Sequence, residues 1–317
     1  MEATIHAAEQ EPATAVCVIP AFNAERVICR AVRSALRQQQ VAIRVVVVDH
    51  GSEDGTAASL TSLCSDDKRL TLIRLKRRPD ELASASRPLN EGITAALDQV
   101  SDDSNTWFIR LDADDFLSGD FALHTALTEG ARFPLIMGLL TFYNLHNKPA
   151  LVYGPRLNYR TRDALRAGGA YATAHHATLI RADLLKRIQH HDGYFYYERI
   201  SYGEDLDFTM RLLRMVQDED LRFVEKSLLF KFSGEGTISN TATIRTIWRD
   251  MSIVFDRSPE LPRRLLHRLA IDLLLRNRGH ALERLRKSWG FPAGQFGFED
   301  PVDPAPANAR LTELMVS

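Results

Sequence analysis

Residues 43–52 read Ile43-Arg44-Val45-Val46-Val47-Val48-Asp49-His50-Gly51-Ser52. Five of the first six are β-branched, with no polar/apolar alternation, which predicts a strand buried on both faces as in a parallel sheet. It ends abruptly in an acid and a Gly-Ser turn. Working outward, residues 16–19 form a short apolar run stopped by Pro20, and Val27, Ala31, Ser34 and Ala35 then keep one face of a helix small or apolar. Downstream the pattern predicts a helix over 56–64, a strand over 70–75, a helix over 90–100 and a strand over 106–111 that ends at Asp112. Strands alternating with helices imply an α/β, Rossmann-like architecture, a mostly parallel sheet flanked by helices.

The remainder is less regular. A helix is expected over 121–130 and an apolar run spans 135–142, whereas 148–169 is polar and shows no clear period. Helical spacing resumes over 178–188, breaks at His191-Asp192-Gly193, and returns over 204–215 with Leu206, Met210 and Leu213 on one face. Two or three helices are expected over 244–289. The implied organisation is a disordered N-terminus (1–14), an α/β domain (15–240), a C-terminal helical appendage (241–290) and an irregular tail (291–317).

Composition narrows the function classes. The 317 residues are 45% apolar and 26% charged, enough for a sizeable core. Forty Lys and Arg against 41 Asp and Glu leave a net charge of −1, which excludes the footprint of a general nucleic-acid binder. Cys17, Cys29 and Cys64 make no CxxC pattern and read as reduced thiols of a cytoplasmic protein. No run approaches the roughly 20 apolar residues of a membrane span.

Three acidic clusters could carry chemistry. Asp49 and Asp112 both follow predicted strands, where an open α/β sheet binds its ligands. Asp112, Ala113, Asp114 and Asp115 set carboxylates two apart, a pattern that shares a hard divalent cation, Mn²⁺ or Mg²⁺, with phosphate oxygens. The competing reading is a turn whose Asp side chains cap the next helix; for Asp49 it is an Asx turn. Gly203-Glu204-Asp205 opens a helix, where acids favour the macrodipole, or else offers a general base.

The ordered set IPAFNAE (19–25), VVVVDHGSEDGT (45–56), LNEGI (89–93), FIRLDADDF (108–116) and GEDLDFTMRLL (203–213) resembles family 2 glycosyltransferases of the GT-A fold over roughly residues 15–240. The resemblance implies inverting transfer of a sugar from a nucleotide-sugar donor, UDP first, to a glycan or other hydroxyl acceptor in surface polysaccharide or glycoconjugate synthesis. It implies that Pro20, Ala21, Phe22, Asn23 and Glu25, with Asp49, Gly51 and Ser52, hold base and ribose. Asp112, Ala113 and Asp114 correspond to the DXD motif, Asp112 and Asp114 holding Mn²⁺ or Mg²⁺. Asp205 corresponds to the base, with Glu204 beside it; Arg87 or Lys76 assists the metal at the leaving diphosphate, and Asn90 stands at the family's Asn-x-Gly, binding the donor or else tying backbone.

Two departures stand out. Pro88-Leu89 separates Arg87 from Asn90, and the stretch 230–236 lacks the histidine with which many relatives reach the metal or diphosphate, which implies fewer protein ligands and weak or absent metal dependence. His175-His176 point to different faces, which disfavours a shared metal, and His190-His191 read as a solvated helix end. Tyr194 to Tyr197 suit either sugar stacking or core packing. A haloacid-dehalogenase-type phosphohydrolase wants Gly-Thr after its Asp pair, a non-catalytic nucleotide-sugar sensor has no need of Glu204-Asp205, and a dinucleotide dehydrogenase lacks its GxGxxG. Residues 257–290 carry a local charge of +6 around Leu265, Leu266, Leu269, Leu273 and Leu274. Such a stripe packs on the domain or on a second subunit, or docks peripherally on the anionic inner face of a membrane.

Overall fold

The computed structural model describes residues 12–144, 149–153, 160–167, 175–233 and 244–262. The expected disordered N-terminus therefore falls almost wholly outside the described residues, as do the tail and the leucine stripe of the appendage. Among the described residues, no helix is long and apolar enough to cross a membrane.

The run at 43–48 lies inside β2 (Ala42–Asp49), which pairs in parallel with β1 (Thr14–Ala21) on one side and β3 (Leu70–Arg74) on the other. β4 (Thr106–Arg110) pairs in parallel with the far side of β1. Successive residues point to opposite faces. Val16, Val18, Val46 and Val48 pack with Leu89 and Ile93 of α3 (Ser86–Leu97), while Cys17, Ile19, Val45 and Val47 pack with Ile28, Ala31, Val32 and Ala35 of α1 (Ile28–Leu36). Each such side chain contributes about 1.5–3 kcal/mol, so two-sided burial accounts for the unbroken valines. Cys17 is buried and Cys29 and Cys64 are half-buried; all three are free thiols.

Pro20 does not end β1. The amide of Leu111 donates to the Val18 carbonyl and that of His50 to the Ala21 carbonyl, so position 20 faces the β4 side at a level where β4 has already ended. No ladder bond is lost there, which is where a strand tolerates proline. α3 likewise begins at Ser86, earlier than the spacing predicts, with Pro88 in the first turn, where helix amides have no intrahelical partner. α2 (Thr56–Asp66) lies between β2 and β3 in the chain.

Beyond β4 the sheet becomes mixed. β5 (Phe116–Leu117) and α4 (Ala122–Gly130) lead into β6 (Leu135–Asn144), and β7 (Pro149–Tyr153) and α5 (Arg162–Arg166) fill part of the stretch that shows no sequence period. Residues 178–181, expected to be helical, form β8 (Thr178–Arg181), and the helix α6 (Ala182–Asp192) starts only after it. The reason is tertiary: β8 fits antiparallel between β4 and β6, which satisfies its backbone on both edges.

α7 (Glu204–Met215) matches the predicted helix, and β9 (Leu221–Ser233) then runs parallel to β6 and antiparallel to β5. The path through the sheet is β3-β2-β1-β4-β8-β6-β9-β5, with β7 on β6. α8 (Ile244–Arg257) falls in the expected appendage, and its Ile247, Met251, Val254 and Phe255 belong to the same apolar cluster as α7 and α3.

Candidate functional site

The register Ala21↔Asp49, with Val18 opposite Arg110, sets the ends of β2, β1 and β4 side by side. Two loops leave there and are laced together. The Asn23 amide donates to Ser52 Oγ (2.9 Å) and the Glu53 amide to Asn23 Oδ1 (2.9 Å). The Ala24 amide donates to Thr56 Oγ1 (2.7 Å), and the Gly55 amide to Glu25 Oε2 (3.2 Å). Gly51 is required: its φ of +74° is left-handed, and a Cβ would sit 3.3 Å from the Leu75 carbonyl. Asp49 is buried and accepts the Ser52 amide on Oδ1 (3.0 Å), while Oδ2 meets no donor among the described residues. Phe22 is exposed, with the Arg77 guanidinium over its ring.

Arg87 and Asn90 are both committed to the protein. Arg87 donates to Glu81 Oε2 (2.8 Å) and to the Lys76 carbonyl (3.1 Å), and the other oxygen of Glu81 lies 3.0 Å from His50 Nε2. Asn90 accepts the amides of Phe195 and Tyr196 and donates to the Tyr196 carbonyl and Glu198, tying α3 to the 195–198 loop. Phe195 and Tyr196 are core residues. Tyr194 and Tyr197 flank the Arg257 guanidinium, 5.8 and 4.0 Å from their ring centres.

After β4, the Leu111–Asp115 turn brings one carboxylate oxygen from each of Asp112, Asp114 and Asp115 within 4.8 Å of one another. Hard oxygens in that number suit Mg²⁺ or Mn²⁺. α1 steadies the turn, Arg30 donating to the Asp114 carbonyl (2.8 Å). Arg110 donates to Asp112 Oδ1 (2.8 Å); Lys231 Nζ donates to Asp112 Oδ2 (3.0 Å) and Asp115 Oδ2 (3.1 Å); His176 Nε2 stands 3.0 Å from Asp112 Oδ2. Burial opposes ionisation of Asp112, yet Arg110, Lys231 and His176 hold it well below the usual carboxylate range. Burial and the neighbouring Asp112 raise Asp114.

The third cluster faces the second across one guanidinium, since Arg110 also lies 3.4 Å from Glu204 Oε1. Gly203 enters α7 with φ +79°, and a Cβ there would meet Met251 Sδ of α8 at 2.8 Å. Burial and then the Asp205 charge push Glu204 up to about 7. Asp205 moves the other way: against burial, the imidazoles of His175 and His176, Arg110 and the Leu206 amide lower it. His175, pushed down to about 3 by burial and Arg110, links Thr209 (3.1 Å) to the Tyr196 hydroxyl (2.8 Å). Environments that drive two adjacent carboxyls apart separate a proton carrier from a base.

The two acid pairs expected from the sequence, Asp112/Asp114 and Glu204/Asp205, thus meet. Arg110, His176 and Lys231 join them although the sequence pattern gives none of them a role. Arg110 stands two residues before the DXD motif and is legible there as a cation; Lys231 lies 119 residues from Asp112 and carries no such signal. His175 and His176 diverge as expected, and His190-His191 form an exposed helix end.

The profile of Glycosyl transferase family 2 matches residues 16–189. Succinoglycan biosynthesis protein ExoO of Rhizobium meliloti (strain 1021) is 36% identical over 103 residues, 32% of this chain and 26% of that protein, so the match spans about a quarter of the relative's length. Two solved structures share the fold. One is S. aureus TarS 1-349 in complex with UDP-GlcNAc, with a TM-score of 0.56 at 17% identity over 95% of this chain and 80% of that one. The other is the mannosyltransferase PcManGT from Pyrobaculum calidifontis in complex with GDP-Man and Mn²⁺, with a TM-score of 0.53 at 16% identity over 96% and 80%. With more than half of the chain inside the family profile and the GT-A fold around its acidic clusters, this chain belongs to glycosyl transferase family 2.

Proposed function

We propose that the protein transfers a sugar from a nucleotide-sugar donor to a hydroxyl acceptor with inversion at the anomeric carbon. The observation that supports this reading is Arg110, whose guanidinium lies 2.8 Å from Asp112 and 3.4 Å from Glu204 and so joins the two acid clusters. A uracil base suits the pocket end of β2, where the free Oδ2 of Asp49 accepts its N3–H; UDP is accordingly the first donor to test. Pro20 to Glu25 and Gly51-Ser52 shape the ribose side. Asp205, ionised at neutral pH, takes the acceptor's proton as its oxygen attacks, while the nucleoside diphosphate leaves from the opposite face. The Leu206 amide, 2.8 Å from its Oδ1, orients that carboxylate.

Asp112 and Asp114 are the ligands for a divalent cation, which when bound neutralises charge on the leaving diphosphate. The likeness to a succinoglycan biosynthesis protein favours a surface polysaccharide acceptor, and acceptors of that kind agree with cytoplasmic, membrane-adjacent work. A thermal-shift panel of UDP, GDP, ADP and their sugars tests the reading. A ligand at 100 times its Kd stabilises by about 2.7 kcal/mol, so a uridine nucleotide should separate clearly from the rest. A panel in which no nucleoside diphosphate shifts the melting temperature refutes the proposal.

A further inference from the structure

The strand pairing that closes the site also carries a cation into it. β5 follows the DXD turn directly and pairs antiparallel with β9 in the register Phe116↔Phe230, Leu117↔Leu229. One step beyond that register sets Lys231 opposite Asp115, with the Phe116 and Phe230 rings packed at 5.2 Å beneath them. The ammonium therefore lies 3.0 Å from Asp112 Oδ2 and 3.1 Å from Asp115 Oδ2, with its side chain 22% exposed. Asp112 Oδ1 is taken by Arg110, so both oxygens of the first DXD carboxylate are already engaged. Among the described residues no side chain donates to the Asp114 carboxylate, which accepts its own amide.

We propose that Lys231 is the resident cation of this cluster: it neutralises Asp112 and Asp115 where a divalent ion would sit, and offers its remaining N–H to the diphosphate of a bound nucleotide. The proposal rests on the nucleotide-sugar reading above. An ammonium has three donors. Two are spent on Asp112 and Asp115, and the third meets no acceptor among the described residues. A lysine point charge binds phosphate well without a metal. A divalent ion held by Asp112 and Asp114 contests Asp112 Oδ2 with the ammonium, because the two charges repel at contact distance. Metal must therefore displace Lys231 from Asp112 and leave the buried Asp115 with less compensation, and the demand for metal becomes weak.

Two titrations test this on the full-length chain and its variants: free Mn²⁺ alone, followed by electron paramagnetic resonance, and UDP or GDP by calorimetry in EDTA and in Mn²⁺. The wild type should bind its nucleotide in EDTA within about threefold of its affinity in Mn²⁺. Lys231→Met should lose about 100-fold in EDTA, recover in Mn²⁺, and take up Mn²⁺ alone at least about tenfold more tightly, the step of about 1.4 kcal/mol being well resolved. Lys231→Arg should keep the metal-free mode. If Lys231→Met fails to fold because the buried Asp115 loses its ammonium partner, Lys231→Met with Asp115→Asn removes that charge and should still show metal-dependent nucleotide binding. Wild-type binding abolished by EDTA, with Lys231→Met indistinguishable from it, overturns the role of Lys231 and leaves the transferase reading standing. No nucleotide binding by the wild type in either buffer overturns both.

Discussion

The two acidic clusters share one guanidinium and are otherwise built oppositely. Around Asp112 and Asp115 the fold supplies two hydrogen-bonded cations, Lys231 and Arg110, which keep Asp112 ionised, while burial and the neighbouring Asp112 and Asp114 still push Asp115 up to about 7. Around Glu204 and Asp205 it supplies one shared cation, the far side of Arg110, with the Leu206 amide on Asp205, and Glu204 keeps its proton to about pH 7. A cluster with two cations is suited to holding a charged ligand in one place. An undermatched pair, one acid and one base side by side, is suited to moving a proton. The difference predicts that binding and turnover separate cleanly between the clusters.

The largest effect should come from breaking the second cluster at its ionised member. Asp205→Asn should lower transfer by about 10²- to 10⁴-fold, the worth of a general base, while nucleotide affinity measured by calorimetry stays within about threefold. Loss of affinity in parallel with rate would place Asp205 with the binding groups and dissolve the contrast. Retained biological activity in that variant would instead favour a nucleotide-sugar sensor.

A smaller effect sharpens the same contrast through pH. Glu204 titrates at about 7 in the folded chain against an ordinary 4.5. The folded state therefore holds a proton that the unfolded state has shed, so stability falls as pH rises from about 4.5 to 7 and levels off above. His175 and His176, both lowered by burial, act with the opposite sign below about pH 6.5, so the raw pH profile mixes the two. The difference between Glu204→Gln and wild type cancels them. That difference should favour the variant by about 2 kcal/mol more at pH 8 than at pH 5, since each tenfold change in proton affinity between the folded and unfolded chain is worth about 1.4 kcal/mol. A difference that is flat from pH 5 to pH 8 would mean that Glu204 is ionised throughout.

How much of this was legible follows from where the determinants lie. The valines of β2 announce two-sided burial locally, and Gly203 before two acids announces the start of α7, so the parallel half of the sheet and both acid pairs stood in the sequence. β8 and β5, of four and two residues, are strands because neighbours hold their edges, and no short window carries that information. Lys231 meets Asp115 only through the β5–β9 register, across 116 residues, so its role depends on pairing that composition cannot express. Asn90 was open between donor binding and tying backbone, and it ties the 195–198 loop, while Arg87 donates to Glu81 and the Lys76 carbonyl.

The smallest predicted effect lies outside both clusters, in how α8 steadies the approach to the undermatched one. Asp250 is fully buried on α8, and its Oδ2 accepts the Ser201 amide (2.8 Å), the Ser201 hydroxyl (3.0 Å) and the Tyr202 amide (3.1 Å), the residues that lead through Gly203 into Glu204. Its Oδ1 is held by Arg249. One carboxylate therefore fixes the loop from which the acid–base pair projects, while nothing links it to Asp112 or Lys231. Asp250→Asn keeps an acceptor oxygen for the loop but makes its bonds neutral, a loss of about 1 kcal/mol. The expected result is a fall of about fivefold in kcat, with nucleotide affinity and Mn²⁺ uptake unchanged. Asp250→Glu, which restores the charge on a longer arm, should recover less than half of that. If Asp250→Asn instead weakens nucleotide binding as much as it slows turnover, the loop serves both clusters and their separation does not hold at this distance.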